Sequence, residues 1–155
     1  MYKIFDFIED PMKLALELAK KSKNKYEIPV GCVIVNKKKE LISCASNESI
    51  QKNDPIGHAE IIAIRQACKR IKKRHLNEMY LYVTLQPCIM CEAAIYITQI
   101  QKVFFGCYNK NFKDIFFRNR EKYSSDKTVF QYYGGFLEEE CSNLLKNFFN
   151  ELRNK

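Results

Sequence analysis

Two short segments carry residues that could bind a metal ion and move protons. His58–Glu60 contains a histidine and, two residues later, a glutamate, while Pro87–Cys91 contains two cysteines in Cys-x-x-Cys spacing. A catalytic zinc ion is typically held by three protein ligands with water in the fourth position, and one imidazole with two thiolates is an accepted ligand set. His58, Cys88 and Cys91 supply this set, so the sequence predicts one Zn²⁺ per chain.

Glu60 is predicted to be the catalytic residue that moves protons. In a regular helix, residues two apart point in different directions, so Glu60 and His58 would not share a helix face. The histidine would therefore bind the metal while the glutamate approaches the reacting water from another side. The spacing of Cys88 and Cys91 brings both sulfur atoms to one side of a turn, and a helix that begins there would stabilise their thiolates.

Two other interpretations of the cysteine pair explain less. A structural zinc site needs a fourth protein ligand, and the remaining cysteines fall inside predicted strands or helices rather than in a second Cys-x-x-Cys. A redox-active Cys-x-x-Cys would leave His58 and Glu60 without a role. With this composition, both motifs would occur together by chance in about one chain in a thousand. The catalytic interpretation is therefore the working hypothesis.

The composition is that of a globular protein. The chain has 155 residues, of which 46% are apolar and 28% charged, and this predicts one domain covering residues 1–155. No apolar stretch is long enough to span a membrane, and the N-terminal residues do not resemble a secretory signal. Seven cysteines, an odd number, favour a reducing cytoplasm over a disulfide framework. The net charge of +8 favours a polyanionic partner such as nucleic acid, although the excess of lysine over arginine could also reflect an AT-rich coding sequence.

The pattern of apolar residues predicts the elements that must position these side chains. In chain order these are a helix from Pro11 to about Lys23, strands Ile28–Val35 and Leu41–Ala45, a loop over 46–57, a helix over 58–74, strand Met79–Thr84, helix Cys88–Ile100, strand Lys102–Cys107, strand Thr128–Tyr133 and helix Leu137–Arg153. The stretch Tyr108–Lys127 has no clear assignment. This order predicts a sheet covered by helices, of the α/β class.

The sequence also resembles a known family along nearly its whole length. The matching blocks are Met12–Lys20, Glu27–Gly31, Asn47, Asp54-Pro55, His58–Ile61, Leu81–Leu85, Pro87–Cys91, Val103–Gly106, Glu140-Cys141 and Phe148-Phe149. In type and order they are similar to the cytidine deaminase superfamily and, within it, to bacterial tRNA-specific adenosine deaminases. The resemblance implies a three-layer α/β/α fold around a central mixed five-stranded sheet.

The resemblance also implies a function and further site residues. The expected reaction is hydrolytic deamination of adenosine to inosine at the wobble position of tRNA, with the anticodon stem-loop as partner. Asn47 would hydrogen-bond the flipped nucleoside, and Pro29 and Val30 would form a wall of the base pocket. By the same resemblance, the protein would be a homodimer.

Some positions depart from the family pattern, and other functions stay open. Gln86 stands where the family usually has glutamate, and Cys107–Asn109 replaces a small residue, arginine and aspartate. These changes bear on RNA contact and leave the predicted zinc ligands intact. The alternatives are a deaminase of a free nucleobase or nucleoside of the guanine or cytosine type, and a non-catalytic nucleic-acid-binding module that keeps zinc as a structural ion.

Overall fold

The computed structural model describes residues 2–110 and 130–155. In chain order its elements are α1 (Pro11–Lys23), β1 (Gly31–Asn36), β2 (Leu41–Ser46), α2 (Ala59–Ile71), β3 (Met79–Leu85), α3 (Ile89–Ile97), β4 (Lys102–Cys107), β5 (Gln131–Tyr133) and α4 (Glu138–Arg153). None of the helices in these ranges is long and apolar enough to cross a membrane.

The five strands form one mixed sheet in the order β2-β1-β3-β4-β5. β1 pairs antiparallel with both β2 and β3, whereas β3, β4 and β5 run parallel to one another. Parallel neighbours need a crossover connection, and α3 supplies the one between β3 and β4. The carboxyl ends of β3 and β4 therefore lie side by side, with Leu85 opposite Cys107.

Helices cover both faces of the sheet, which gives three layers. On one face, Ala63 and Ile64 of α2 and Ile95 of α3 pack against the strands. On the other face, Met12 and Ala15 of α1 pack on β1 and β2, and α4 joins α1 through a cluster of Leu16, Cys107 and Cys141. The predicted three-layer α/β/α fold with a mixed five-stranded sheet is confirmed.

The first helix is placed by two local features. Asp10 caps α1, because its carboxylate accepts hydrogen bonds from the backbone N–H groups of Met12 and Lys13. Gly31 at the start of β1 faces the backbone of Ala15, and a Cβ at this position would run into the Ala15 carbonyl group. The glycine thus allows α1 to lie directly on β1.

Several predicted boundaries were wrong by a few residues. β1 begins at Gly31 rather than Ile28, because the preceding backbone turns, with the N–H of Val30 donating to the carbonyl of Ile28. α2 ends at Ile71 rather than Arg74, since Lys72 takes a left-handed conformation with φ +54°. α3 is shorter than predicted at both ends, and within the described residues β5 covers Gln131–Tyr133. Residues 111–129, and with them most of the unassigned stretch, lie outside the described residues.

Candidate metal centre and substrate cavity

The three predicted zinc ligands lie together at the N-termini of α2 and α3. His58 is the N-cap residue of α2 and Cys88 the N-cap residue of α3, both with extended backbone, and Cys91 lies in the first turn of α3. Cys88, Cys91 and Ile61 form a small buried cluster that joins the two helices. Because each motif begins a helix and the two helices pack together, segments 30 residues apart in sequence meet at one point.

The geometry of this cluster fits zinc. His58 Nδ1 lies 3.5 Å from the Sγ atoms of both Cys88 and Cys91, and the three potential ligand atoms lie within 4.8 Å of one another. For tetrahedral zinc with ordinary Zn–N and Zn–S bond lengths, the nitrogen–sulfur separation is about 3.6 Å. Within the described residues no fourth histidine, cysteine or carboxylate joins the group, which leaves one coordination position for water.

The thiols are arranged so that one ionises readily even without metal. The hydrogen bond from Cys91, followed by that from His58, lowers the pKa of Cys88 to about 4. The hydrogen bond with Cys88 and burial raise the pKa of Cys91, and the hydrogen bond with Cys88 raises the pKa of His58. A thiolate is the form of cysteine that binds metal, so the hydrogen bonds of Cys88 favour the binding form.

Glu60 lies in the first turn of α2 and is buried, with 4% of its surface exposed. Burial raises the pKa of its carboxyl group to about 7. A group with a pKa near neutrality can both accept and donate a proton at the pH of the cell. His58 is the N-cap residue and has extended backbone, whereas Glu60 lies within the helix. The side chains of His58 and Glu60 therefore point in different directions from the backbone, yet both line the same cavity.

A cavity of about 610 Å³ opens over these residues. Its lining comprises Ile28, Val30, Asn47, His58, Glu60, Leu85, Gln86, Cys88, Cys107, Tyr108, Asn109, Lys110, Ser142, Leu145, Lys146, Phe149, Asn150 and Arg153. These residues come from the segments that precede β1 and α2 and from the first turn of α2, from the carboxyl ends of β3 and β4 and the residues that follow them, and from one face of α4. The site therefore lies at the edge of the sheet where β3 and β4 end.

Asn47 lines the cavity and also caps α2. Its side-chain Oδ1 accepts a hydrogen bond of 2.9 Å from the backbone N–H of Ala59, and its own backbone N–H donates to the carbonyl of Val30 at 3.1 Å. Because Oδ1 is engaged, the amide Nδ2 is the group that can donate to a ligand. Val30 is a lining residue as well, whereas Pro29 is buried and is not among the residues that line the cavity.

The sequence reasoning did not assign two parts of this cavity. The first is α4, where Ser142, Leu145, Phe149 and Arg153 lie at helical spacing on the lining face. That spacing is a usable signal, although the sequence led only to the prediction of a helix there. The second is Gln86, whose Oε1 accepts a hydrogen bond of 3.1 Å from the backbone N–H of Asn109. This bond ties the end of β3 to the residues that follow β4.

Fold and site together define the class of protein. Residues 6–107 match the family described as the cytidine and deoxycytidylate deaminase zinc-binding region, so this is a zinc-dependent deaminase. The tRNA-specific adenosine deaminase of Aquifex aeolicus is 40% identical over 92% of this chain and 94% of its own length. The chain belongs to the family of tRNA-specific adenosine deaminases.

Two solved deaminase structures share the fold of this chain. A chain from a study of A-to-I editing by tRNA:A34 deaminases at the wobble position of transfer RNA superposes with a TM-score of 0.78 and 31% identity, covering 87% of this chain and 98% of that one. The guanine deaminase of Bacillus subtilis is also 31% identical, with a TM-score of 0.62, and covers 94% of this chain and 92% of its own.

Proposed function

We propose that this chain, acting as one deaminase domain, converts adenosine to inosine at the wobble position of tRNA, within the anticodon stem-loop. The observation that carries the proposal is that Glu60 and the predicted ligands His58 and Cys88 line one cavity, with Cys91 in the same cluster of possible metal ligands. The similarity to tRNA-specific adenosine deaminases over nearly the whole chain supplies the substrate class.

His58, Cys88 and Cys91 are the proposed ligands of one Zn²⁺. Zinc, when bound, supplies the Lewis acidity that lowers the pKa of water toward neutrality. The helix α3 contributes as well, because its N-terminal end, which carries both cysteines, presents backbone N–H groups and the positive end of its dipole to the thiolates. These residues hold the site, and Glu60 moves the protons.

Glu60 is proposed to act twice in the reaction, as the family chemistry requires. Its carboxylate accepts a proton from the attacking water as the water oxygen bonds to C6 of adenine, and it delivers this proton to N1 of the ring. It then transfers the proton of the new hydroxyl group to the amino nitrogen, so the C6–N bond breaks and ammonia leaves. One water is consumed and one ammonia released.

The charge around the cavity favours a substrate that carries phosphate. Lys110, Lys146 and Arg153 are lining residues, and Glu60 is the only acidic residue among the described lining residues. Cations at the mouth attract the backbone of a nucleic acid, whereas a free nucleobase offers them no partner. The net charge of +8 acts in the same direction.

Substrate contacts are proposed for three residues. The amide Nδ2 of Asn47 would donate a hydrogen bond to the flipped nucleoside, and Val30 would pack against it as part of the apolar wall. Pro29, buried between the lining residues Ile28 and Val30, would support this wall from behind. A base held between apolar side chains and one polar donor is the usual way in which a flipped nucleotide is recognised.

A second candidate is deamination of a free purine base, favoured by the similarity to the guanine deaminase of Bacillus subtilis. Purified protein incubated separately with an unmodified anticodon stem-loop carrying A34, with guanine, with cytosine and with adenosine distinguishes the two. We expect inosine in the stem-loop and no turnover of the free compounds. Turnover of a free base alone would reject tRNA as the substrate.

We also propose a homodimer that works in the cytoplasm, where tRNA is found. Ile89 and Ile97 on α3 are 45% and 68% exposed, and a partner chain would cover such apolar side chains. Analytical ultracentrifugation at micromolar concentration tests the assembly, and a monomer would contradict it.

A further inference from the structure

Glu27 is a buried acid that lies outside the proposed reaction. Glu27 is only 1% exposed, and it forms no ion pair within the described residues. Its carboxylate instead accepts three backbone hydrogen bonds. Oε1 accepts from Ile28 at 3.1 Å, and Oε2 accepts from Ile50 at 2.9 Å and from Gln51 at 3.1 Å. A buried carboxylate is stable only when it is satisfied in this way.

These bonds attach a loop that has few other contacts with the rest of the protein. We call residues 47–58, which connect β2 to α2, the α2 loop. Its apolar side chains Ile50 and Ile56 are 52% and 43% exposed, so hydrophobic burial contributes little to its position. Several of its hydrogen bonds, such as that from Glu48 N–H to the Gly57 carbonyl, lie within the loop and shape it without attaching it.

The attachment is made to the segment between α1 and β1. Besides the two bonds to Glu27, the side-chain Nε2 of Gln51 donates to the backbone carbonyl of Lys25 at 2.8 Å. The α2 loop is thus held at Ile50 and Gln51 by Glu27 and Lys25. At its first residue, the side chain of Asn47 bonds to Ala59 of α2.

Both sides of this connection reach the cavity. The α2 loop begins at Asn47 and ends at His58, and both are lining residues. On the other side, Ile28 is held by Oε1 of the same Glu27 carboxylate and is a lining residue too. One buried carboxylate therefore connects the α2 loop to Ile28, and both contribute to the lining of the cavity.

We infer that Glu27 is a positioning residue for the deaminase site: its carboxylate holds the α2 loop so that Asn47 and His58 face the cavity. The inference rests on the proposed function, since the side chain of Glu27 acts on the reaction only through the residues of that site. Glu27 itself is not among the residues that line the cavity.

Glu27→Gln tests this role. A glutamine has one acceptor oxygen and a donating NH₂ group, so it cannot satisfy three backbone N–H groups and places a donor against at least one of them. We expect the amides of Ile50 and Gln51 to lose protection from hydrogen exchange. We also expect kcat on the A34 stem-loop to fall about 10²-fold, as when a catalytic group is displaced by roughly 1 Å. The KM for RNA should change less than kcat, and the content of one zinc per chain should stay unchanged.

Two control variants separate positioning from a general loss of stability. Val35→Ala removes two buried methyl groups near the far end of β1, and it should lower Tm without changing kcat or the hydrogen exchange of the Ile50 and Gln51 amides. Glu48→Gln changes a partly exposed acid within the α2 loop that pairs with Lys52, and it should change none of these quantities. Glu27→Asp keeps two acceptor oxygens and should recover part of the lost kcat.

The inference is overturned if Ile50 and Gln51 exchange without protection in the unmodified protein, or if Glu27→Gln keeps full kcat. If Glu27→Gln does not fold, Glu27→Asp is the deciding variant. A lower Tm with unchanged kcat and unchanged hydrogen exchange at Ile50 and Gln51, as expected for Val35→Ala, would reject a positioning role. If the unmodified protein edits no RNA, the proposed function fails. Hydrogen exchange at the amides of Ile50 and Gln51 still measures, independently of activity, whether Glu27 holds the α2 loop.

Discussion

The side-chain oxygen of Asn47 accepts a 2.9 Å hydrogen bond from the backbone N–H of Ala59, so a residue of the cavity wall also caps the helix that carries Glu60. Asn47 can therefore stabilise the start of α2 and contact a substrate with the same side chain. The carbonyl oxygen serves the helix, and the amide nitrogen stays available to a ligand.

Substitutions at Asn47 should separate these two roles. Asn47→Ala removes the cap and should cost about 1 kcal/mol of unfolding free energy, together with activity. Asn47→Asp keeps an oxygen acceptor for Ala59 but loses the donor, so stability should be retained while kcat/KM falls about 10- to 100-fold, the effect of one lost hydrogen bond. Chemical unfolding and steady-state kinetics measure the two quantities. Unchanged kinetics in Asn47→Asp would argue against the substrate contact.

Glu60→Gln should abolish most of the activity without loss of the metal. The substitution is nearly isosteric and keeps the buried site filled, but the amide can neither accept nor deliver the proton. We expect kcat to fall by at least about 10²- to 10⁴-fold, the usual contribution of general acid–base catalysis. Zinc content, measured by atomic spectroscopy, should remain one per chain. Inosine formation at the normal rate would show that another residue moves the proton.

Replacing a ligand should remove zinc and stability together. Cys91→Ser or His58→Ala disrupts the cluster in which His58 Nδ1 lies 3.5 Å from each of the two sulfur atoms. Because a metal that binds only the folded state stabilises it, each variant should have a lower Tm that added zinc does not restore. In the unmodified protein, a chelator should lower Tm, and zinc should restore it. Cys68→Ser, on the partly exposed Cys68 of α2, is the matched control and should keep its zinc.

Cations of the cavity should contribute to RNA affinity and its salt dependence. Lys146→Gln and Arg153→Gln should each weaken binding of the stem-loop and reduce the slope of log K against log salt by about 1. Lys13→Gln is the control, because Lys13 is exposed on α1 next to Asp10 and is not a lining residue. Fluorescence anisotropy over a range of salt concentrations measures the slope. If the slope of log K against log salt in all three variants equals that of the unmodified protein, Lys146 and Arg153 do not contact phosphate.

Gly31→Ala should destabilise the fold. A Cβ at Gly31 would meet the backbone carbonyl of Ala15, which cannot move aside as a flexible side chain could. We expect a loss of about 1–3 kcal/mol of unfolding free energy, the usual cost of overpacking. Gly57→Ala is a milder comparison, since its nearest neighbours would lie at 3.1 Å. Equal stability of Gly31→Ala and the unmodified protein would show that α1 can shift away from β1.

The sequence by itself determined the metal cluster and the fold class. The Cys-x-x-Cys and His-x-Glu motifs each lie within one turn at the start of a helix, so their chemistry depends on local spacing, and apolar periodicity is likewise a local signal. Tertiary packing decided the rest. Three features depend on segments that are far apart in the chain. These are the part of α4 that lines the cavity, the absence of Pro29 from the lining, and the hydrogen bonds from the amides of Ile50 and Gln51 to Glu27. No local pattern in the sequence specifies which distant backbone group a buried side chain will contact. These contacts are set by how the helices pack on the sheet.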